Sequence, residues 1–485
     1  MRKILEVFNM DALAEGITAG IIEISRFPNF LKTLKIIPNF EKWEPGKKLK
    51  ILLCGYNGAK NIGADVRVKA MVDQFYHILG NSIEISIMTL SIDSIKVYFN
   101  DNRTNLIEFN SIFFKDLLKA ASSHHIAVMS EGACFKSTFA NALTVFMTGA
   151  AGIMDAQGKK CIAYGSEAGY MDWLLKSFVR HYCKNSYIIS RTEPSKKELE
   201  KLGLKSDLGT DTAWIFQPQE PVWAEKTLRN NGWDGKKPII GLVVVNPFIW
   251  PIRPSLSKFI SMKIRKEKNR ADHYQKWYFF STSPQRDKAF KHYISSLANS
   301  VNKFIEKYDV FPVIIGIEKL DFQPCQELQK RLKVYSPIFC AKDYDGYQIM
   351  SIIWKLKFII TSDYHGCVLS MTGGVPSGGI SMDERIDNIM EERGHLENLC
   401  LKVDDPELEI KNFKMMEYLW ENEDKIKEEI LRTIPYYLKK MAEMGRMFKN
   451  YIRKNFPGLP LPDDPQDWKG YLPPLYPELQ KIVDK

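Results

Sequence analysis

Short apolar runs alternate with helical patterns along most of this chain. The first series of runs lies at 50–54, 83–88, 126–129, 161–164 and 187–190, each followed by apolar residues at helical spacing. Such alternation predicts a parallel sheet of about five strands over 49–215. A second series, at 239–245, 310–316, 338–341, 358–361 and 377–381, predicts a second α/β domain over 238–402. Between them, Gln217-Pro218-Gln219-Glu220-Pro221 and Asn230-Asn231-Gly232-Trp233-Asp234-Gly235 carry turn chemistry, which sets a linker at 216–237.

Beyond the second domain, Ile426, Ile430, Ile434, Leu438, Met441 and Phe448 recur at helical spacing. They predict a long C-terminal helix within 403–455 that packs on both domains and kinks at Pro435. Residues 456–485, rich in proline and aromatic residues, read as an extended tail on the surface. At the other end, 1–48 form an amphipathic extension. Its apolar positions Ile4, Leu5, Phe8, Leu13, Ile17, Ile21 and Ile22 precede a stretch where Phe27, Phe30, Leu31, Leu34 and Ile37 alternate with Arg26, Lys32 and Lys35. Two readings stand, an interfacial helix on a membrane or packing on the protein body. Pro28 and Pro38 limit the second stretch.

Composition narrows the class. At 485 residues the chain exceeds one ordinary core, which supports the two-domain partition. No apolar run approaches the ~18 residues that span a bilayer, which excludes an integral membrane protein. Glu6, Asp11 and Glu15 interrupt what would be the apolar core of a secretion signal. The eight cysteines are scattered, without Cys-x-x-Cys pairs or zinc spacing, and read as reduced core residues of a cytoplasmic protein. The net charge of +10 gathers in Lys47-Lys48-Leu49-Lys50 and in 263–270. Such patches suit anionic small molecules or an anionic membrane at the inner face of the cell, and no motif points to nucleic acid.

The candidate chemistry starts at 51–65. An apolar strand enters the turn Gly55-Tyr56-Asn57-Gly58-Ala59-Lys60-Asn61-Ile62-Gly63 and then a helix with Val66, Met71, Val72 and Phe75. Glycines there allow close backbone approach and the helix start offers N–H groups to an anion, so Gly55, Gly58, Asn61 and Gly63 are candidate donor-binding residues for a phosphate-bearing substrate. The spacing is neither a dinucleotide fingerprint nor a Walker loop.

Together with later segments, this turn resembles the polysaccharide pyruvyl transferase family over roughly 50–400. Ser130-Glu131-Gly132, Lys159-Lys160-Cys161-Ile162-Ala163-Tyr164-Gly165, Ile188-Ile189-Ser190-Arg191-Thr192-Glu193-Pro194-Ser195 and Asp211-Thr212-Ala213 follow the family's order. The closest piece is Thr361-Ser362-Asp363-Tyr364-His365-Gly366 with Gly373-Gly374-Val375-Pro376 and 379–385. The resemblance implies two Rossmann-like domains facing across a cleft, as in GT-B glycosyltransferases, and transfer of a pyruvyl group from phosphoenolpyruvate, as co-substrate, to hydroxyls of a glycan or lipid-linked sugar. In the opening turn Ala64 replaces the family's aspartate and Asp65 its glutamate, and one further departure bears on the chemistry: Asp363 stands where the family has arginine.

Making a pyruvyl ketal needs a proton for the enol methylene, a base for the attacking hydroxyl, and cations for carboxylate and phosphate. His365 is the candidate acid or phosphate donor, since histidine titrates near neutrality. Arg191, Arg253 and Arg385 are the candidate cations, because the guanidinium fork grips phosphate and carboxylate. Asp65, Glu131 and Asp211 fall at predicted strand ends and are candidate bases or helix caps. Asp363 with Asp383 makes a Mg²⁺ site conceivable, and no resident cofactor is expected. Two alternatives stay open: a glycosyltransferase using a nucleotide sugar, and a non-catalytic glycan-binding protein on the same fold.

Overall fold

The structure, a computed structural model, describes residues 10–110, 112–265 and 278–484. Ile4, Leu5 and Phe8 of the N-terminal pattern and residues 266–270 of the second basic patch lie outside the described residues.

The first sheet holds β1 (Leu49–Cys54), β2 (Ile83–Thr89), β3 (Thr104–Glu108), β4 (Ile126–Met129), β5 (Lys160–Ser166), β6 (Tyr187–Ser190) and β7 (Ser206–Leu208). All pair in parallel in the order β3-β2-β1-β4-β5-β6-β7. The expected five strands are present, and β3 and β7 are additional. Both are short edge strands with polar or half-exposed residues, so apolar runs do not reveal them.

Side chains alternate across β1. Ile51 and Leu53 join the core shared with the second domain and the C-terminal helix, while Leu52 and Cys54 join a core beneath the helices Phe114–Ser123, Asn141–Ala156 and Trp173–Tyr182. Parallel strands covered on both faces are apolar throughout, which is why this sheet reads so clearly from sequence.

The second domain holds β8 (Ile239–Val243), a ribbon of β9 (Arg253–Pro254) and β10 (Tyr278–Phe279), then β11 (Phe311–Gly316), β12 (Ile338–Cys340), β13 (Phe358–Thr361), β14 (Ser377–Ser381) and β15 (Cys400–Lys402). Its main sheet is parallel, ordered β12-β11-β8-β13-β14-β15. The edge strand β15 is the one the sequence did not give away. The segment 216–237 is more than turns: it carries the helix Pro221–Asn230, with Ala224 and Leu228 buried.

The helix Glu423–Asn455 runs helically through Pro435 and buries Ile426, Ile430, Ile434, Leu438, Met441 and Phe448. It reaches back to the first domain, where Phe448 packs on Phe75 at 4.2 Å between ring centroids and Tyr451 stacks on Tyr187 at 5.0 Å. The tail turns through Trp468–Tyr471 and the helix Pro477–Val483, and the Tyr471 carbonyl accepts from Gln74 Nε2. All eight cysteines are free thiols, seven of them buried.

Candidate active site in the interdomain cleft

In both sheets the chain order reverses beside the central strand, β1 or β8, and this is where open α/β sheets leave a crevice at the carboxyl ends. The two crevices face each other. Tyr56 follows β1, Glu131 follows β4, Asn246 and Trp250 follow β8, Glu318 and Asp321 follow β11, Asp363 and His365 follow β13, and Arg385 follows β14. These residues line a cleft of about 100 Å³.

His365 sits in the first turn of the helix Tyr364–Thr372. Asp363 caps that helix, its Oδ1 accepting from the N–H groups of His365 (2.7 Å) and Gly366 (3.3 Å). In place of a cation, the chain therefore has a cap that holds the histidine's backbone. The His365 ring lies across the domain boundary against Gly63, where a Cβ would overlap it. Its Nε2 is buried without a hydrogen-bond partner among the described residues, 4.0 Å from Asp211 Oδ2. Burial pushes the imidazole down to about 4, against the pull of Asp211 and Asp363. It is neutral at physiological pH.

Behind the histidine runs a buried ion network. Asp211 takes Arg67 and Arg191, the latter at 2.9 Å. Arg191 also pairs with Glu167 and lies over the Tyr364 ring at 4.3 Å. Lys136 Nζ donates to Glu167 at 2.6 Å and reaches Glu384 of the second domain at 2.7 Å. Burial opposes the charge on Asp211, but the guanidiniums of Arg67 and Arg191, joined by His365 when it is protonated, outweigh that and hold the carboxyl well below the usual range. Burial pushes Lys136 down to about 8 despite Asp383 and Glu384.

The cleft itself is acidic. Glu131, Glu318, Asp321 and Asp363 line it against one guanidinium, Arg385, which pairs with Asp383 at 2.8 Å and lies over Phe139 at 4.7 Å. Burial first, then the charges of Glu318 and Asp363, raise Asp321 well above the carboxylate range. Asp321 Oδ2 also accepts from the Glu318 N–H at 2.7 Å, and Asp321 shares the cleft lining with His365.

Of the residues expected from sequence, the structure brings His365, Glu131, Asn61 and Arg385 to this cleft. Others sit elsewhere. Arg253 pairs with Asp11 at 2.7 Å, because the β9 ribbon packs beside the N-terminal helix. Arg191 and Asp211 are interior partners, and Gly55 packs on Ser130.

Asp65 accepts from Gly58 N (2.8 Å) behind the cleft wall, and burial pushes its carboxyl up to about 8. The N–H groups expected to await an anion are largely engaged: Gly58 on Asp65, Ala64 on Asn61 Oδ1 and Ile62 on the Ile317 carbonyl of the second domain. Gly58 itself has φ +72°, so the tight turn explains that glycine. Asp363 and Asp383 both serve as helix caps, and the described residues contain no group of three side chains arranged to hold a metal.

Sequence reasoning missed Arg67, Lys136, Glu167, Glu318 and Asp321. Three had a signal: Arg67 is a cation between Val66 and Val68 in a largely apolar helix stretch, and Glu318 and Asp321 follow an apolar strand.

The family model of polysaccharide pyruvyl transferase matches residues 61–384, most of the chain. The chain belongs to the polysaccharide pyruvyl transferase family. The match contains Asn61, Gly63, Glu131, Asp211 and His365 and ends at Glu384, next to Arg385. No curated protein matches the chain significantly.

Among solved structures, the Anabaena protein Alr3699/HepE, in complex with UDP-glucose, is similar over 83% of this chain and 100% of its own, at 10% identity and a TM-score of 0.54. A UDP-N-acetylglucosamine 2-epimerase is similar over 87% of this chain and 100% of its own, at 11% identity and a TM-score of 0.50. At such identities the likeness concerns the fold, which is GT-B-like. No helix of the described residues is long and apolar enough to cross a membrane.

Proposed function

We propose that this family member transfers the pyruvyl group of phosphoenolpyruvate to a pair of sugar hydroxyls in the interdomain cleft. The observation that carries the reading is the His365 ring, fixed between the domains with Nε2 buried, unpartnered and 4.0 Å from Asp211. A neutral imidazole in that setting takes a proton from an attacking hydroxyl, and the Asp211 carboxylate stabilises the imidazolium that results. Asp321, a carboxyl that burial raises above the usual range, is the group assigned to protonate the enol methylene.

The first hydroxyl adds to C2 of the donor as a proton is added at C3. The second hydroxyl then takes C2 as phosphate departs. One hydroxyl proton is thus balanced at C3 and the other leaves with phosphate, giving a cyclic ketal and inorganic phosphate. The acceptor half fits the lining, since carboxylates accept from sugar hydroxyls and the rings of Tyr56, Phe139 and Trp250 offer apolar faces to a pyranose. Arg385 is the cation available to the donor.

A second reading draws on the same lining. Four acidic residues against one arginine suit a polyol better than a small trianion, which favours a nucleotide sugar as donor; HepE of the same fold holds UDP-glucose. Melting temperatures separate the two. A ligand that binds only the folded protein at 100 times its Kd stabilises it by about 2.7 kcal/mol. Phosphoenolpyruvate is expected to raise the melting temperature of the native protein and to do so less for Arg385→Ala. A shift with UDP-glucose alone supports the second reading.

A further inference from the structure

The helix Met10–Ile24 is inverted relative to an ordinary surface helix. Along with Ile22 it buries Asp11, Glu15 and Thr18, and it turns Leu13, Ile17 and Ile24 outward, Ile24 being 52% exposed. In water the reverse pattern is favoured, because burying ionisable groups carries a desolvation cost. Asp11 is compensated by Arg253. Glu15 is not: both its carboxylate oxygens are buried without a hydrogen-bond partner among the described residues. Burial, with Asp172 and Asp11 nearby, pushes its carboxyl up to about 7.

Further exposed apolar side chains follow the helix in the chain. Phe27 is 64% exposed, and Phe30, Leu34 and Ile36 are exposed too, interleaved with exposed Arg26, Lys32 and Lys35. Trp173, 79% exposed, adjoins Asp172, whose charge reaches Glu15 and Asp11.

We propose that this face, from Leu13 to Ile36 with Trp173 alongside, docks on an anionic lipid bilayer. The apolar side chains enter the boundary between headgroups and acyl chains, the lysines meet lipid phosphates, and the indole sits at the headgroup level. A second copy of the chain fits less well. A two-fold contact through this face would bring the lysines of both copies into one interface with the same sign of charge, whereas anionic headgroups attract them. The surface stands apart from the chemistry of the cleft, so either proposal can fail alone.

The test is co-sedimentation of the full chain with vesicles of phosphatidylcholine containing phosphatidylglycerol. Binding is expected at low salt, weakening as salt rises. It should drop about tenfold or more in the double variant Phe27→Asp/Phe30→Asp, whose exposed positions leave the core intact. Should that variant misfold, Lys32→Glu/Lys35→Glu is expected to weaken binding to the anionic vesicles and spare the weaker binding to pure phosphatidylcholine. No binding at low salt, or equal binding by these variants, overturns the proposal. So does a dimer in sedimentation velocity that Phe27→Asp/Phe30→Asp dissolves while vesicle binding is absent.

Discussion

Asp65 holds its proton to about pH 8 in the folded chain, while a carboxyl in the unfolded chain releases it near the ordinary 3.8. Between these values the folded state binds more protons than the unfolded one, so the residue's contribution to stability falls as pH rises through that window. Asn mimics the protonated carboxyl and keeps an oxygen for the Gly58 N–H. The melting temperature of Asp65→Asn relative to the native protein should therefore climb steadily from pH 5 to pH 8. A constant difference would show that Asp65 is ionised in the fold. His365 carries the opposite logic: its folded value of about 4 lies below the ordinary 6.5 of a histidine, so its contribution is present above pH 6.5 and is lost as pH falls toward 4.

At the scale of elements, the helix Glu423–Asn455 grips the first domain in part through an aromatic cluster in which Phe448 meets Phe75 and Tyr164. Phe448 is fully buried, so Phe448→Ala removes a ring that nothing else fills, and denaturant unfolding should report a loss of about 3–5 kcal/mol. A loss under about 1 kcal/mol would mean that the helix rests loosely on this domain.

That helix and both sheets were legible in the sequence because buried parallel strands and buried helix stripes write their environment as apolar runs. β3, β7 and β15 were not, since short edge strands bury little. The cleft followed the same division. His365, Glu131 and Arg385 sit just past strands that are easy to read. The Arg67–Asp211 pair joins residues 144 positions apart, a meeting that no local periodicity encodes. Gly63 was read as room for an anion, yet the space is used by the His365 ring, which arrives from the other domain.

For the whole molecule, the domains meet through specific contacts on several sides of the cleft. Lys136 reaches Glu384, the Tyr98 hydroxyl accepts from Gly346 N at 2.6 Å, and Ile62 N donates to the Ile317 carbonyl. This arrangement buries the His365–Asp211 pair, and Asp321 lines the same cleft; the proposed reaction takes its base from the first and its acid from the second. Phosphorus NMR on phosphoenolpyruvate mixed with methyl hexosides, with UDP-glucose in a parallel sample, tests this most directly. The account predicts acceptor-dependent release of inorganic phosphate by the native protein, falling about 10²-fold or more in His365→Ala, the scale of a lost positioned acid or base. Equal release by the two proteins, or consumption of UDP-glucose with phosphoenolpyruvate left intact, would contradict it.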